Sequence, residues 1–116
     1  YSNYTGNIYI TKMGKAAELI KANKYFMSSK SWCPDCKYAK AIFQKYGVLD
    51  KVKIVELDKI DPKEAESLEK EITAIVGRKW VPTIFFNGKE FGTEETLKKL
   101  ESHDQTKKTF EQAGLL

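Results

Sequence analysis

Histidine, proline and cysteine are scarce in this sequence. Its 116 residues include 1 His, 3 Pro and 2 Cys. A structural zinc site needs about four ligands, and the one histidine, His103, lies far along the chain from both cysteines. We therefore expect no metal site within one chain. No segment is rich in a single residue type, so we also expect no low-complexity region and no linker.

Long apolar runs and concentrated basic stretches are missing as well. No run approaches the ~20 apolar residues that cross a bilayer, so we expect no membrane partner. The net charge is +4, but the lysines are spread through the chain with acids between them, as on an ordinary solvated surface. Binding of nucleic acids needs a concentrated basic stripe, so we expect no nucleic-acid partner. Nothing in the sequence calls for more than a monomer.

The length predicts one domain, which we place at residues 13–116. Residues 1–12 are expected to be an extension before it. Met13 is one candidate for a native start, with residues 1–12 added ahead of it, and the alternative is that residues 1–12 are native. This extension is polar and aromatic and lacks the apolar core of a secretory signal.

The segment Cys33-Pro34-Asp35-Cys36 contains both cysteines, with Trp32 before them and a helical pattern after them. Two cysteines at this spacing are typical of a thiol–disulfide redox centre. Pro34 suits the first position of a helix, so Cys33 is predicted to be the N-cap, where the free N–H groups favour a thiolate. We therefore expect Cys33 to attack a disulfide and Cys36 to resolve the product. A purely structural disulfide would close so small a loop that it would stabilise the fold little.

Hydrophobic periodicity predicts the order helix, strand, helix, strand, helix, strand, strand, helix, helix. Asn87-Gly88 is a strong hairpin signal between the last two strands. The two early strands around a helix predict a βαβ unit, and the hairpin completes a four-stranded mixed sheet flanked by helices in an α/β fold. The predicted elements are a helix over 15–22, a strand over 25–27, a helix from Pro34 to Gly47, a strand over 52–57, a helix from Pro62 to Gly77 whose inner face is Ala65, Leu68, Ile72 and Ile75, strands over 81–86 and 89–91, and helices from Glu94 and over 105–113.

This order, with the cysteine motif after the first strand and Val81-Pro82 at the start of the third, resembles the thioredoxin superfamily and, within it, the glutaredoxin family. The segments that carry the resemblance are 29–36, 80–85 and 87–92. The pentapeptide that begins at Trp32 is similar to that of one fungal type of glutaredoxin and to that of some thioredoxin-related proteins. The resemblance implies a thioredoxin-like fold, no bound cofactor, glutathione as co-substrate, and disulfide-containing or glutathionylated proteins as partners.

The resemblance also implies a glutathione site around the cysteines. Lys30 lies where glutaredoxins hold the glycyl carboxylate of glutathione, and Pro82 lies at a proline whose cis bond aims the Val81 backbone at the substrate. Thr93 and Thr96 replace a glycine and an aspartate of the usual γ-glutamyl site, so we expect weakened glutathione binding. The remaining candidates are Trp32 and Trp80, which are either platforms beside the sulfurs or core residues, and Glu94 and Glu95, which either attract the ligand ammonium or merely suit the first turn of a helix.

We expect a cytoplasmic enzyme of glutaredoxin type that reduces protein or glutathione mixed disulfides. Cysteines spaced for exchange favour a reducing compartment. One alternative is a thioredoxin-related reductase that thioredoxin reductase recharges, which Thr93 favours and Lys30 disfavours. Another is a non-catalytic module, either a glutathione-bridged iron–sulfur dimer through Cys33 of two chains or a docking surface.

Overall fold

The computed structural model describes residues 14–116, so the predicted extension over 1–12 lies outside the described residues. Its centre is a sheet of four strands in the order β2-β1-β3-β4. Strand β1 pairs in parallel with β2 and antiparallel with β3, and β3 pairs antiparallel with β4. This confirms the predicted four-stranded mixed sheet. The strands are β1 Tyr25–Ser29, β2 Lys53–Glu56, β3 Thr83–Phe86 and β4 Lys89–Gly92.

Five α-helices flank the sheet within the described residues, and local signals set their ends. In the third of them, the carboxylate of Asp61 accepts hydrogen bonds from the N–H groups of Lys63 and Glu64 at 3.1 and 3.2 Å, and Gly77 ends the helix with φ 86°. Both ends are as predicted. The helices are α1 Lys15–Ala22, α2 Pro34–Lys45, α3 Pro62–Val76, α4 Glu94–Ser102 and α5 Thr106–Gln112, with a short 3₁₀ helix at Leu49–Lys51.

The two faces of the sheet bury two separate apolar clusters. Successive residues of β1 point to opposite faces, so Phe26 belongs to one cluster and Met27 to the other. The first cluster joins the sheet to α1 and α3, and the second joins it to α2, α4 and α5. Because both faces are covered, all five residues of β1 are buried. None of the helices within residues 14–116 is long and apolar enough to span a bilayer.

Several details differ from the sequence-based expectations: β1 extends to Ser29, two residues beyond the predicted end, and β2 is one residue shorter at each end. Strand β3 begins at Thr83 and not at residue 81, and Pro82 has no N–H with which to join a ladder. The placement of Ile75 on the buried face of α3 is wrong, since its side chain is 47% exposed. Ile75 lies near the end of α3 beside a cavity of about 270 Å³ whose lining includes Gly88, which has no side chain to cover it.

Candidate redox site

The two cysteines lie where β1 leads into α2. Cys33 is the N-cap of α2, with extended backbone at φ −79° and ψ 122°, and Pro34 occupies the first helical position. The predicted N-cap is therefore confirmed. Cys36, one turn further, is 0% exposed, whereas Cys33 keeps 8% of its surface open. Of the two free thiols, only Cys33 offers surface to a substrate.

The hydrogen bonds of the two sulfurs differ. The Cys33 thiol donates to the carbonyl oxygen of Val81 at 3.9 Å and makes no side-chain hydrogen bond to the N–H groups of α2. A neutral thiol is a donor, so it faces a carbonyl; a thiolate is an acceptor and suits the helix N–H groups instead. The Cys36 sulfur accepts from the backbone N–H of Lys30 at 3.5 Å.

Burial raises the pKa of the Cys36 thiol to about 11, against the opposing effect of the Lys30 N–H group. At neutral pH Cys36 is therefore held as a thiol. It becomes a nucleophile only when a nearby group takes its proton. This separates the roles that the two cysteines can play, because Cys36 is both protonated and inaccessible from solvent.

Asp58 braces the loop before the cysteines, a role that the sequence analysis missed. The backbone N–H of Ser31 donates to Asp58 Oδ1 at 2.9 Å, and the Ser31 hydroxyl donates to Oδ2. These bonds lower the pKa of the Asp58 carboxyl. A signal was present, because Asp58 follows β2 and the parallel strands β1 and β2 end at the same edge of the sheet.

A groove of about 450 Å³ lies on one side of the redox loop, lined by Lys30, Trp32, Asp58, Glu69 and Lys79 among others. Trp32 is 63% exposed, and the Lys30 ammonium lies 5.8 Å from the centre of its ring. The same ammonium forms an ion pair with Glu69 Oε2 at 3.3 Å. Lys30 is therefore near the cysteines, as predicted, but it already has an acidic partner that the sequence analysis did not identify.

The loop of Trp80, Val81 and Pro82 meets Cys33 through the Val81 carbonyl, and the Val81–Pro82 peptide bond is cis. Trp80 is 46% exposed, and its indole N–H donates to Glu94 Oε1 at 2.9 Å. Glu94 is only 3% exposed. The predicted acidic pair is therefore divided, because Glu94 is buried against the Trp80 indole while Glu95 points to solvent.

Thr93 caps helix α4. Its hydroxyl accepts from the N–H of Glu95 at 3.2 Å, while the hydroxyl of Thr96 accepts from the N–H of Thr93 at 3.2 Å. This capping pair satisfies donors that would otherwise be free at the start of the helix. The cap therefore occupies the N–H groups of Thr93 and Glu95, and weakened glutathione binding stays a prediction.

The predicted site residues thus fall into three groups: Lys30 and Trp32 beside the groove, Trp80, Val81 and Pro82 in the cis-proline loop that receives the Cys33 thiol, and Thr93, Glu94 and Glu95 at the start of α4, which the Trp80–Glu94 hydrogen bond ties to that loop. Across residues 14–116, no cluster of three or more His, Cys, Asp or Glu side chains is arranged to hold a metal ion. A cysteine pair at a helix N-terminus, opposite a cis-proline loop in a mixed sheet of this order, defines a thiol–disulfide oxidoreductase of thioredoxin-like fold.

Comparison with known proteins gives the family. The profile of the glutaredoxin family matches residues 24–91, which is more than half of the chain. The chain therefore belongs to the glutaredoxin family, as its motifs indicated, and it is a thiol–disulfide oxidoreductase. Glutathione is the general co-substrate of this family.

Similar proteins include several named glutaredoxins. Glutaredoxin-8 of Saccharomyces cerevisiae is 39% identical over 102 residues, which cover 88% of this chain and 94% of that protein. Glutaredoxin-C4 of Arabidopsis thaliana is 39% identical over 90 residues, covering 76% of this chain and 63% of that protein. The solution structure of the yeast dithiol glutaredoxin Grx8 has a TM-score of 0.77 at 38% identity, covering 94% of this chain and 97% of that one.

Proposed function

We propose that this chain is a dithiol glutaredoxin in which Cys33 attacks the substrate and Cys36 resolves the product. The observation that carries this assignment is the asymmetry of the two thiols. Cys33 caps α2 and keeps 8% of its surface exposed, while Cys36 is 0% exposed and burial raises its pKa to about 11. A protonated, buried thiol suits the second step, in which Cys36 attacks the mixed disulfide on the neighbouring Cys33 and needs no access to a substrate in solvent.

In the proposed reaction, the Cys33 thiolate attacks one sulfur of a substrate disulfide. A new bond forms between Cys33 and that sulfur, the substrate S–S bond breaks, and the other sulfur leaves as a thiolate that takes a proton. Cys36 then loses its proton and attacks the Cys33 sulfur. This releases the bound thiol and leaves a Cys33–Cys36 disulfide, which two glutathione molecules reduce while they are oxidised to glutathione disulfide.

A shorter route uses one cysteine. When the group bound to Cys33 is glutathione, a second glutathione thiolate attacks the mixed disulfide, releases glutathione disulfide and returns Cys33 to the thiolate. This route does not need Cys36. The N-terminal position of Cys33 on α2 supports both routes, because the helix dipole favours Cys33 as the leaving thiolate.

Glutathione-dependent turnover of a small glutathione mixed disulfide tests this proposal. We expect Cys33→Ser to abolish turnover and Cys36→Ser to retain it through the shorter route. Full turnover by Cys33→Ser would contradict the assigned roles. A matched assay with a protein disulfide separates the dithiol route, since only that route requires Cys36.

A second candidate function is a thioredoxin-related reductase that receives electrons from thioredoxin reductase. The pairing of Lys30 with Glu69 and the cap formed by Thr93 favour it, because both occupy groups that glutathione would need. Negligible turnover with glutathione, together with electron transfer from purified thioredoxin reductase to a protein disulfide, would establish this second function.

The exposed tryptophans Trp32 and Trp80 suit contact with apolar surface beside the disulfide of a protein substrate. We extend the proposal to disulfide-containing or glutathionylated proteins as partners, to a monomeric state, and to a reducing compartment such as the cytoplasm. The compartment rests on the cysteine content, because the only two cysteines of the chain are spaced for exchange.

A further inference from the structure

Glu69 on α3 lies between the two lysines of the groove beside the redox loop. Its Oε2 is 3.3 Å from the Lys30 ammonium, and its Oε1 is 4.0 Å from the Lys79 ammonium. The side chains of Lys30 and Glu69 keep only 26% and 22% of their surface exposed, so this pair is less screened by solvent than a pair on an open surface. Each lysine of the groove therefore already has a carboxylate within ion-pair distance.

The whole groove is not a basic one. Its charged lining comprises the lysines Lys30 and Lys79 against the acids Asp58, Glu66 and Glu69. A ligand carboxylate that enters beside Trp32 meets Lys30 only after it displaces Glu69, and it then lies close to the displaced acid. Glutathione carries a carboxylate at each end, so this cost falls directly on glutathione and not on a protein disulfide that lacks a carboxylate at this point.

We propose that Glu69 is a specificity-determining residue that, by pairing with Lys30 and Lys79, weakens binding of the glycyl carboxylate of glutathione in the groove and so favours protein disulfides as substrates. The inference deepens the proposed glutaredoxin function and rests on it for the identity of the competing ligand. It assigns to Glu69 an effect on binding and none on the chemistry at Cys33.

Binding of two unreactive ligands tests this inference. S-methylglutathione cannot exchange its sulfur. In the glycyl amide of S-methylglutathione, a neutral carboxamide replaces the glycyl carboxylate and the rest of the molecule is unchanged. We expect Glu69→Gln to lower the dissociation constant of S-methylglutathione by about fivefold, which is the size of a modest ion-pair contribution. We expect it to leave the dissociation constant of the amide unchanged. Isothermal titration calorimetry of the protein measures both constants.

Two further variants control this measurement. Glu64→Gln removes a Lys–Glu pair from the same helix outside the groove, where Glu64 pairs with Lys15, and we expect it to change neither constant. The double variant Lys30→Gln/Glu69→Gln lacks Lys30, the nearer of the two cations that Glu69 pairs with, so we expect most of the gain of the single variant to disappear. In turnover assays we expect Glu69→Gln to lower KM for a glutathione mixed disulfide by a similar factor without a change in kcat.

Equal tightening of both ligands by Glu69→Gln, or tightening of neither, would overturn the inference, because the effect would then not depend on the glycyl carboxylate. Failure of the proposed function gives a different result. In that case wild type turns over no glutathione substrate, while the binding comparison between the two ligands still decides the role of Glu69.

Discussion

At the scale of single residues, two sulfurs in one turn of chain have different surroundings. The Cys33 thiol keeps 8% of its surface exposed and donates to the Val81 carbonyl, while Cys36 is 0% exposed and accepts from the backbone N–H of Lys30. Burial is the largest influence on Cys36, and it acts against the thiolate. A substrate therefore meets a single accessible sulfur, although the motif contains two.

The first prediction concerns the titration of Cys36. In the variant Cys33→Ser, which leaves one thiol, we expect Cys36 to remain protonated at pH 8 and to ionise well above the ordinary cysteine value of 9.0, because its burial is unchanged. Ultraviolet absorbance of the thiolate measures this directly. A thiolate already formed near neutral pH would contradict the assigned asymmetry. Cys36→Ser serves as the reference for the other sulfur.

A second pair at the residue scale is the hydrogen bond between Trp80 and Glu94. Glu94 is 3% exposed and receives the Trp80 indole N–H at 2.9 Å. Bonds to a buried carboxylate are among the stronger side-chain hydrogen bonds, since the alternative is an unsatisfied charge. The pair therefore connects the cis-proline loop to the start of α4.

We predict that Trp80→Phe destabilises the fold by about 2 kcal/mol, because it leaves the Glu94 carboxylate buried without its donor. Urea unfolding measures the change. Trp32→Phe is the matched control, since Trp32 is 63% exposed and has no such bond, and we expect it to leave stability nearly unchanged. Equal stabilities for the two variants would show that the hydrogen bond contributes nothing.

At the scale of elements, Glu101 holds α4 against the end of α2. Its carboxylate accepts from the Lys45 ammonium at 2.7 Å and from the Tyr46 hydroxyl at 2.6 Å. These contacts, with Lys45 the first among them, lower the pKa of Glu101 to about 2. The same contacts raise the pKa values of Lys45 and Tyr46. The charged form of Glu101 is therefore the one that the folded protein stabilises.

This arrangement predicts a pH-dependent contribution to stability. Because the pKa of Glu101 falls from its usual 4.5 to about 2 on folding, its contribution is complete above about pH 4.5 and is lost as the pH falls towards 2. We expect Glu101→Gln to cost about 1 kcal/mol at pH 7, after solvent screening of this partly exposed pair, and less at pH 3. Urea unfolding at both pH values measures the difference. The exposed pair of Glu64 with Lys15 supplies a control, since Glu64→Gln should cost little at either pH. A cost that does not change with pH would contradict the assignment.

The starts of α2 and α3 and the hairpin turn were predicted well because their causes are local. Pro34, Pro62 and the Asn87-Gly88 turn each act within a few residues of chain, so the sequence alone indicates where α2, α3 and the hairpin begin. The ion pair between Lys30 and Glu69 and the bond between Trp80 and Glu94 join residues that are distant in sequence. No periodicity encodes such pairs, which is why Trp80, Glu94 and Lys30 were found as candidates but neither the Trp80–Glu94 pairing nor Glu69 was predicted.

At the scale of the whole molecule, the same limit explains the error at Ile75. Helical periodicity places Ile75 on the face of Leu68 and Ile72, which are 2% and 4% exposed. Whether that face is covered depends on the side chains that lie opposite it. Ile75 lines the cavity of about 270 Å³, and the lining of that cavity also includes Gly88, which has no side chain. Periodicity predicts which face of a helix turns inward, but the tertiary fold decides how far along the helix the cover extends.

The last prediction concerns how firmly α5 is tied to the rest of the domain. Phe110 of α5 is 0% exposed, and its ring lies 5.7 Å from that of Phe43 on α2 and 6.0 Å from that of Phe86 on β3. One side chain thus joins three elements, so we expect Phe110→Ala to cost about 4 kcal/mol through the cavity that it leaves. That is a large fraction of the stability of a domain of this size, and the loss should appear in one cooperative transition.

Thermal unfolding of Phe110→Ala, followed by both far- and near-ultraviolet circular dichroism, tests this prediction. Ile75→Ala, at a half-exposed position, is the control with an expected cost well below that of Phe110→Ala. Separate transitions in the two signals would mean that α5 unfolds independently of the sheet.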